Sequence, residues 1–332
     1  CMSTIASFLK QAEKTTVIVV GDVMVDAYLW GRIDRISPEA PVPVVQVTER
    51  SARLGGAANV ALNLKALGAT PIVVSVVGDD DNAALLLKLF AEQGLDTRGL
   101  MKSTARRTTV KTRVISAQQH VVRVDEEQDD DLSPADAGRV VDTVTALMRS
   151  SKPGVLIFED YNKGVLSEAV ITGTIAAAKA AGIPTAVDPK KKNFFAYRGV
   201  DLFKPNLKEL REGLKVDVDP LDSESVKQAV TQLENKLGDR ISLITLSEHG
   251  AFIHEGGAAS TIAAHPRKIL DVSGAGDTVI AVASLALAQG LPAEQLAQLA
   301  NLAGGLVCEE VGVVPINKER FRSECERLGL PA

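Results

Sequence analysis

The 332-residue chain lacks what several large classes of protein require. Aromatic residues make up only 4% and the formal net charge is −5, so neither a basic footprint nor a set of base-stacking rings is on offer to nucleic acid. The three cysteines, Cys1, Cys308 and Cys325, show no CxxC or Cys/His spacing, which argues against a structural zinc and for a reducing compartment. The four histidines, His120, His249, His254 and His265, are scattered and read as structural or surface groups. No uninterrupted apolar run is long enough to cross a bilayer and no secretory leader is read at the start; the expectation is a cytoplasmic protein with no membrane partner. Cys1 ahead of Met2 reads as an added residue outside the fold. A GxxxxGK[ST] loop is missing, as is the full GxGxxG fingerprint, which excludes a Walker-type phosphate loop. A small polar ligand is the partner these absences leave.

What is present centres on Ile269 to Gln289. A short apolar lead-in is followed by Asp271-Val272-Ser273-Gly274-Ala275-Gly276-Asp277, then by a nearly uncharged run rich in Ala, Val and Leu that stops at Gly290. Such a run predicts a helix buried on all sides. Two glycines, Gly274 and Gly276, directly before a buried helix start leave backbone N–H groups free, and the macrodipole adds positive character, which makes an anion hole. Asp277, in the first turn, could take a proton from a hydroxyl attacking a phosphoryl group. The competing reading is a plain helix start, capped by Ser273 or Asp277.

The rest of the chain alternates strands and helices, an α/β pattern. Thr16 to Val20 predicts the first buried strand, and Asp22 and Asp26 follow it; acids beyond a strand's carboxyl end either bind substrate hydroxyls or simply end the strand. Gly55-Gly56-Ala57-Ala58-Asn59 opens an apolar helix, where paired glycines admit a substrate to the backbone and Asn59 can donate or accept, or where they serve helix packing. Between Tyr28 and Glu49, Pro38, Pro41 and Pro43 forbid a central strand and suit an edge. Thr108 to Val124 alternates apolar and polar residues. These two β-rich insertions predict a small separate sheet, a lid whose exposed edge or face invites a dimer. Asp125 to Asp131, with six acids in seven residues, reads as a solvated loop. Further on, polar groups again follow predicted strands: Glu159-Asp160-Tyr161-Asn162-Lys163-Gly164, then Asp188-Pro189-Lys190-Lys191-Lys192, whose lysines either receive a phosphate or remain surface charge. Asn206 and Glu209 share one predicted helix start, where Glu209 could order waters on magnesium or close a capping box. A predicted strand ending at Thr245 exits into Leu246-Ser247-Glu248-His249-Gly250, a small-residue turn, and Asn301 lies within an Ala/Leu-rich helix.

In this order the motifs resemble the ribokinase, or phosphofructokinase-B, family of carbohydrate kinases. Gly55 to Asn59 looks like its first signature, Asp160 to Gly164 like its Asp-Tyr-x-Lys-Gly segment, Lys204-Pro205-Asn206 with Glu209 like its magnesium motif, and Asp271 to Asp277 like its second signature. The likeness runs over about residues 16 to 316. It implies a ribokinase-like three-layer α/β fold with a mostly parallel central sheet, one kinase unit over residues 1–332, and a β lid from about 28–50 and 108–124. It also implies ATP and Mg2+ as cofactors. Asp277 would be the base, and Gly274, Ala275 and Gly276 would donate to the transferring phosphoryl group. Asp22, Asp26, Gly55, Gly56, Asn59, Asp160 and Asp188 would lie on the sugar side. Asn206, Leu207, Lys208, Glu209, Thr245, Ser247, Gly250 and Asn301 would lie on the nucleotide side, with Asn206 and Glu209 reaching the metal mainly through water.

Within the family, Gly21 to Asp26, Arg35 to Val44, Val187 to Lys190 and Tyr197-Arg198-Gly199 look like the branch that phosphorylates D-glycero-β-D-manno-heptose 7-phosphate at C1. That implies a step toward ADP-heptose and lipopolysaccharide core. Lys190, with Lys163, Arg113 or Arg198, would hold the 7-phosphate. The branch is fused to an adenylyltransferase in many bacteria; no HxGH motif occurs in this chain, so a stand-alone kinase is expected here, as a homodimer through the lid. Val272 replaces the usual Thr of the second signature, and Ser247 stands where many relatives have Gly. Kinases for fructose 1-phosphate or ribose, and a catalytically silent sensor, are the alternatives.

Overall fold

The computed structural model describes residues 5–117 and 119–330; Cys1 lies outside them. Strand β1 (Thr16–Gly21) shows how the layers are built. Val17 and Val19 enter one apolar core and Ile18 and Val20 another, all fully buried, because successive strand side chains point to opposite faces and both faces are covered. After helix α1 (Ile5–Ala12) and β1 come two long strands, β2 (Val23–Ile36) and β3 (Pro43–Gly56), then α2 (Ala57–Ala66), β4 (Thr70–Gly78), α3 (Asp81–Glu92) and β5 (Leu100–Ser103). A second excursion forms β6 (Thr109–Ser116) and β7 (Gln119–Glu126). The chain returns through α4 (Pro134–Ser151), β8 (Val155–Glu159), α5 (Glu168–Ala181), β9 (Thr185–Asp188), β10 (Leu202–Phe203), α6 (Leu207–Leu214), α7 (Ser223–Leu237) and β11 (Ile241–Thr245). It ends with the hairpin β12 (Ala251–Glu255) and β13 (Ala258–Ile262), then α8 (Ala275–Ala288), α9 (Ala293–Val307) and α10 (Lys318–Leu328).

The main sheet has nine strands in the order β13-β12-β11-β10-β9-β8-β1-β4-β5. It is parallel from β11 to β5, and the β12–β13 hairpin adds two antiparallel strands at one edge. From β1 the chain moves outward first to β4 and β5, then returns to β8 on the other side. The crevice outside the carboxyl ends of β1 and β8 is therefore the topological switch point, where open α/β sheets bind ligands. In register there, Gly21 pairs with Glu159 and Glu159 with Asp188.

The second sheet, β3-β2-β6-β7, is the small separate sheet expected from the two β-rich insertions, but its strands are longer than the prolines suggested. β2 begins at Val23 and β3 ends at Gly56, so Asp26 and Gly55 lie on lid strands and not on loops of the main sheet. Their inner ends are buried and their outer ends exposed. Pro43 opens β3 at the sheet's edge, where its missing N–H costs no ladder bond. The acidic run is not simply a solvated loop: Asp125 and Glu126 end β7, Glu127 meets Lys163 at 2.9 Å and Asp131 meets Lys192 at 2.9 Å. Helix α8 is buried along its length from Asp277 to Leu287, packed between α2, α9 and the exits of β8 and β9. No helix among the described residues is long and apolar enough to cross a membrane.

Candidate active site

Asp277 sits in the first turn of α8, 4% exposed. One carboxylate oxygen accepts a hydrogen bond from Asn59 Nδ2 at 2.6 Å and the other from the Tyr161 hydroxyl at 2.7 Å. Burial pushes its carboxyl up to about 6, while those two bonds pull the other way. Burial and the neighbouring Asp277 hold the Tyr161 hydroxyl well above its ordinary pKa, so it remains a donor. A fixed carboxylate that titrates near neutrality suits proton abstraction from a hydroxyl. The helix start beside it has Gly274 at the cap position in the left-handed region, φ 81°, with no side-chain cap. A Cβ at Gly274 would lie 2.9 Å from Asn59 Nδ2, so glycine is needed both for the backbone and for the residue that orients Asp277. Among the described residues the N–H groups of Gly276 and Asp277 have no protein acceptor. That of Ala275 turns back to the Val272 carbonyl at 3.3 Å, which corrects its expected place in the anion hole.

Four acids end the central strands, and their bonding separates them. Asp22, expected to bind substrate, receives the backbone N–H groups of Tyr161 and Lys163 on one oxygen and of Val165 on the other. It is a brace for the 161–165 loop, because a carboxylate already holding three amides has little left to offer a sugar. Asp160 is likewise committed, to the Asn162 N–H and the Tyr197 hydroxyl, and burial with the nearby Asp22 raises its pKa to about 6. Asp188 meets Lys204 at 2.7 Å and Lys190 at 3.4 Å; burial opposes its charge, but the two lysines hold it below the usual carboxylate range. Glu159 is fully buried, and among the described residues neither of its oxygens has a hydrogen-bond donor.

The lid supplies the facing wall. Asp26 on β2 pairs with Arg113 on β6 at 2.5 Å, and a Cβ at Gly55 would meet Asp26 Oδ2 at 2.2 Å. Gly56 caps α2 with φ 62°. Asn59 is fully buried, and its Oδ1 has no donor among the described residues.

At α6 the capping box is formed: Asn206 Oδ1 accepts from the Glu209 N–H, Glu209 Oε2 accepts from the Asn206 N–H, and Glu209 Oε1 accepts from Lys190 at 2.6 Å. With those oxygens engaged, Asn206 and Glu209 do not fit as direct ligands of magnesium and have only a water-mediated role open to them. Leu207 packs against the core, and Lys208 is exposed, 3.9 Å from Glu212 one turn further along α6. Thr245 bridges to Asn206. Gly250 and Asn301 converge on one segment: a Gly250 Cβ would lie 2.0 Å from the Ile262 carbonyl, and Asn301 donates to the Ala263 carbonyl at 3.0 Å. Ser247 has φ 55°, the region glycine favours.

Of the expected phosphate holders, Lys190 is spent on Glu209 and Asp188, and Arg198 is misplaced. Arg198 lines a surface hollow of about 690 Å³ with Lys179, Phe194 and Phe195, away from Asp277. Lys163 and Arg113 stay at the lid side. Sequence reasoning quoted Glu159, Tyr161 and Lys204 within their motifs and gave none of them a role, although Tyr161 holds the central acid and Lys204 is buried against Asp188. The signal was there in each case: a polar side chain in the last position of a buried strand or just after it.

The site and fold are those of a sugar kinase. The pfkB family carbohydrate kinase pattern matches residues 14–320, and the chain belongs to that family. It is 41% identical over 310 residues to the bifunctional protein HldE of Methylobacillus flagellatus, covering 93% of this chain and 63% of that one. To the HldE of Caulobacter vibrioides it is 44% identical over 308 residues, covering 90% and 60%. The chain thus spans under two thirds of the length of these relatives. Among solved structures, Escherichia coli phosphofructokinase-2 in complex with potassium superposes with a TM-score of 0.77 at 18% identity, over 95% of this chain and 99% of that one. Arabidopsis thaliana ribokinase complexed with ribose and ATP gives 0.72 at 18%, over 93% and 98%. The mostly parallel sheet with a smaller separate sheet is the architecture expected above.

Proposed function

We propose that this chain transfers the γ-phosphoryl group of ATP to the C1 hydroxyl of D-glycero-β-D-manno-heptose 7-phosphate, giving the 1,7-bisphosphate, as a cytoplasmic step toward ADP-heptose and lipopolysaccharide core. The observation that carries the chemistry is Asp277, buried at an uncapped helix start and aimed by Asn59 and Tyr161. Likeness to two HldE proteins supports the choice of sugar. In this reading residues 1–332 act as one kinase unit closed by the β lid, and copies pair through the lid. Asp277 takes the C1 proton, and the Gly276 and Asp277 amides receive the phosphoryl oxygens as charge develops. Asp26, Gly55, Gly56 and Asn59 frame the sugar, whose 7-phosphate lies toward Arg113 and Lys163. The adenosine end lies over Thr245 to Gly250 and Asn301. Magnesium, when bound with ATP, neutralises phosphate charge, and Asn206 and Glu209 face it through water. ADP release is to be measured side by side with heptose 7-phosphate, fructose phosphates and ribose. Preference for heptose 7-phosphate by at least tenfold in kcat/KM is expected; turnover of another sugar alone overturns the substrate, and ADP from none overturns the kinase.

A further inference from the structure

One concave surface of the chain takes no part in the site around Asp277. It is the hollow of about 690 Å³ walled by α5, the segment after β9 and the end of α6, and its volume lies within the range of small-molecule sites, about 300–1,000 Å³. Its charge runs against that of the chain, whose formal net charge is −5. Lys179, Lys191, Lys192, Arg198 and Lys215 line it, against the two acids Glu168 and Glu212. Two of these cations are answered, since Lys192 meets Asp131 at 2.9 Å and Lys191 meets Glu212 at 3.7 Å. Among the described residues Lys179, Arg198 and Lys215 have no ion-pair partner, and each comes from a different wall. Like charges gathered around a concavity focus a positive field into it. The floor is of the other kind. Phe194 is buried there, so close to α6 that a Cβ at Gly213 would lie 2.5 Å from its ring, and Ile175 and the half-buried Phe195 extend the apolar surface. The Lys179 ammonium lies across Gly199, where any Cβ would collide with it. A bare phosphate has no use for such a floor, and an apolar molecule has none for the cations.

We propose that this hollow is a second binding site, for an anion of the nucleoside-diphosphate class. The flat ring would lie on the surface of Ile175 and Phe195, and the diphosphate would lie between Lys179, Arg198 and Lys215. A guanidinium matches phosphate oxygens with paired N–H groups, and the lysines act as point charges. The site is distinct from the strip of Thr245 to Gly250 proposed for the adenosine end of ATP.

The test titrates ADP-glucose, in which the sugar blocks the terminal phosphate, into the full chain by isothermal titration calorimetry. Lys179→Glu and Arg198→Glu should each weaken a one-per-chain site at least tenfold, and Ala176→Trp, which fills the hollow without changing charge, should abolish it. Lys88→Glu, an equal charge change on α3, should alter affinity less than threefold. All four positions are exposed, so the substitutions leave the core untouched. Any ADP-glucose held on the nucleotide side of the active site persists in all four variants and is counted separately. Pyrophosphate, with the charge and no ring, should bind the hollow at least tenfold more weakly than ADP-glucose. No binding that the Lys179 and Arg198 variants weaken, full affinity in Ala176→Trp, an equal loss in Lys88→Glu, pyrophosphate as tight as ADP-glucose, or an acidic peptide binding tighter than ADP-glucose would overturn the proposal. Because binding and not turnover is read, either outcome leaves the kinase reading standing.

Discussion

Helices α6 and α8 both begin at the carboxyl ends of neighbouring strands, and they treat their first turns in opposite ways. At α6, Asn206 and Glu209 close a reciprocal capping box within the chain. At α8, Gly274 offers no side chain, and among the described residues the N–H groups of Gly276 and Asp277 meet no acceptor. Every helix start exposes unpaired donors; one of these two satisfies them itself and is finished as a structural element, while the other is left incomplete and so is available to an anion. The acids differ in parallel. Glu209 is tied to Lys190 and its own helix, whereas Asp277 receives only neutral donors, which fix its direction without cancelling its charge.

The largest expected break in this contrast is Asp277→Asn, which should keep the far-UV circular dichroism and lose about 10²- to 10⁴-fold in kcat; turnover within a few-fold of wild type would put the two acids on the same footing. The same variant should be more stable than wild type by about 1–2 kcal/mol at pH 8. Asp277 titrates near 6 in the folded chain, above its ordinary value, so its burial disfavours folding once it ionises. The difference should shrink as pH falls below 6, and denaturant midpoints at pH 8 and pH 5 check the sign. Tyr161→Phe removes one of the donors that lower the Asp277 pKa. A loss of about tenfold in kcat is expected, and the acid limb of the kcat/KM profile, near 6 in wild type, should move to higher pH; an unmoved limb would separate Tyr161 from Asp277. Asn206→Ala should cost about 1 kcal/mol through the lost cap, read as a lower denaturant midpoint, and reduce kcat far less than Asp277→Asn. Ser247→Gly, relieving φ 55°, should raise stability by about 0.5–1 kcal/mol.

Much of this was legible in the chain itself, for reasons that differ by element. Helix α8 announces itself through a run with no charge after Asp277, and α4 through Ser133 and Pro134, which occupy the cap and first positions. The strand exits were marked by clustered polar residues after β-branched runs. The extent of the lid was not: β2 continues from the core into solvent without a change in backbone, so prolines and alternation revealed only its exposed part. The bonding state of each acid was hidden too. Asp22, Asp160, Asp188 and Glu159 look alike as letters, and only the placement of backbone amides, Tyr197 and Lys204 assigns one to a brace, one to a tyrosine, one to lysines and one to nothing. Arg198 shows the same limit, since a motif next to Tyr197 says nothing about which side of the helix layer the guanidinium leaves by.

The most direct test of the contrast between the two helix starts is a structure of the chain with a non-hydrolysable ATP analogue and heptose 7-phosphate. The expected result is a terminal phosphoryl oxygen within hydrogen-bond distance, about 3 Å, of the Gly276 or Asp277 N–H, with the C1 hydroxyl on the Asp277 carboxylate. A terminal phosphate lodged on the α6 start, or a C1 hydroxyl out of reach of Asp277, would contradict the account.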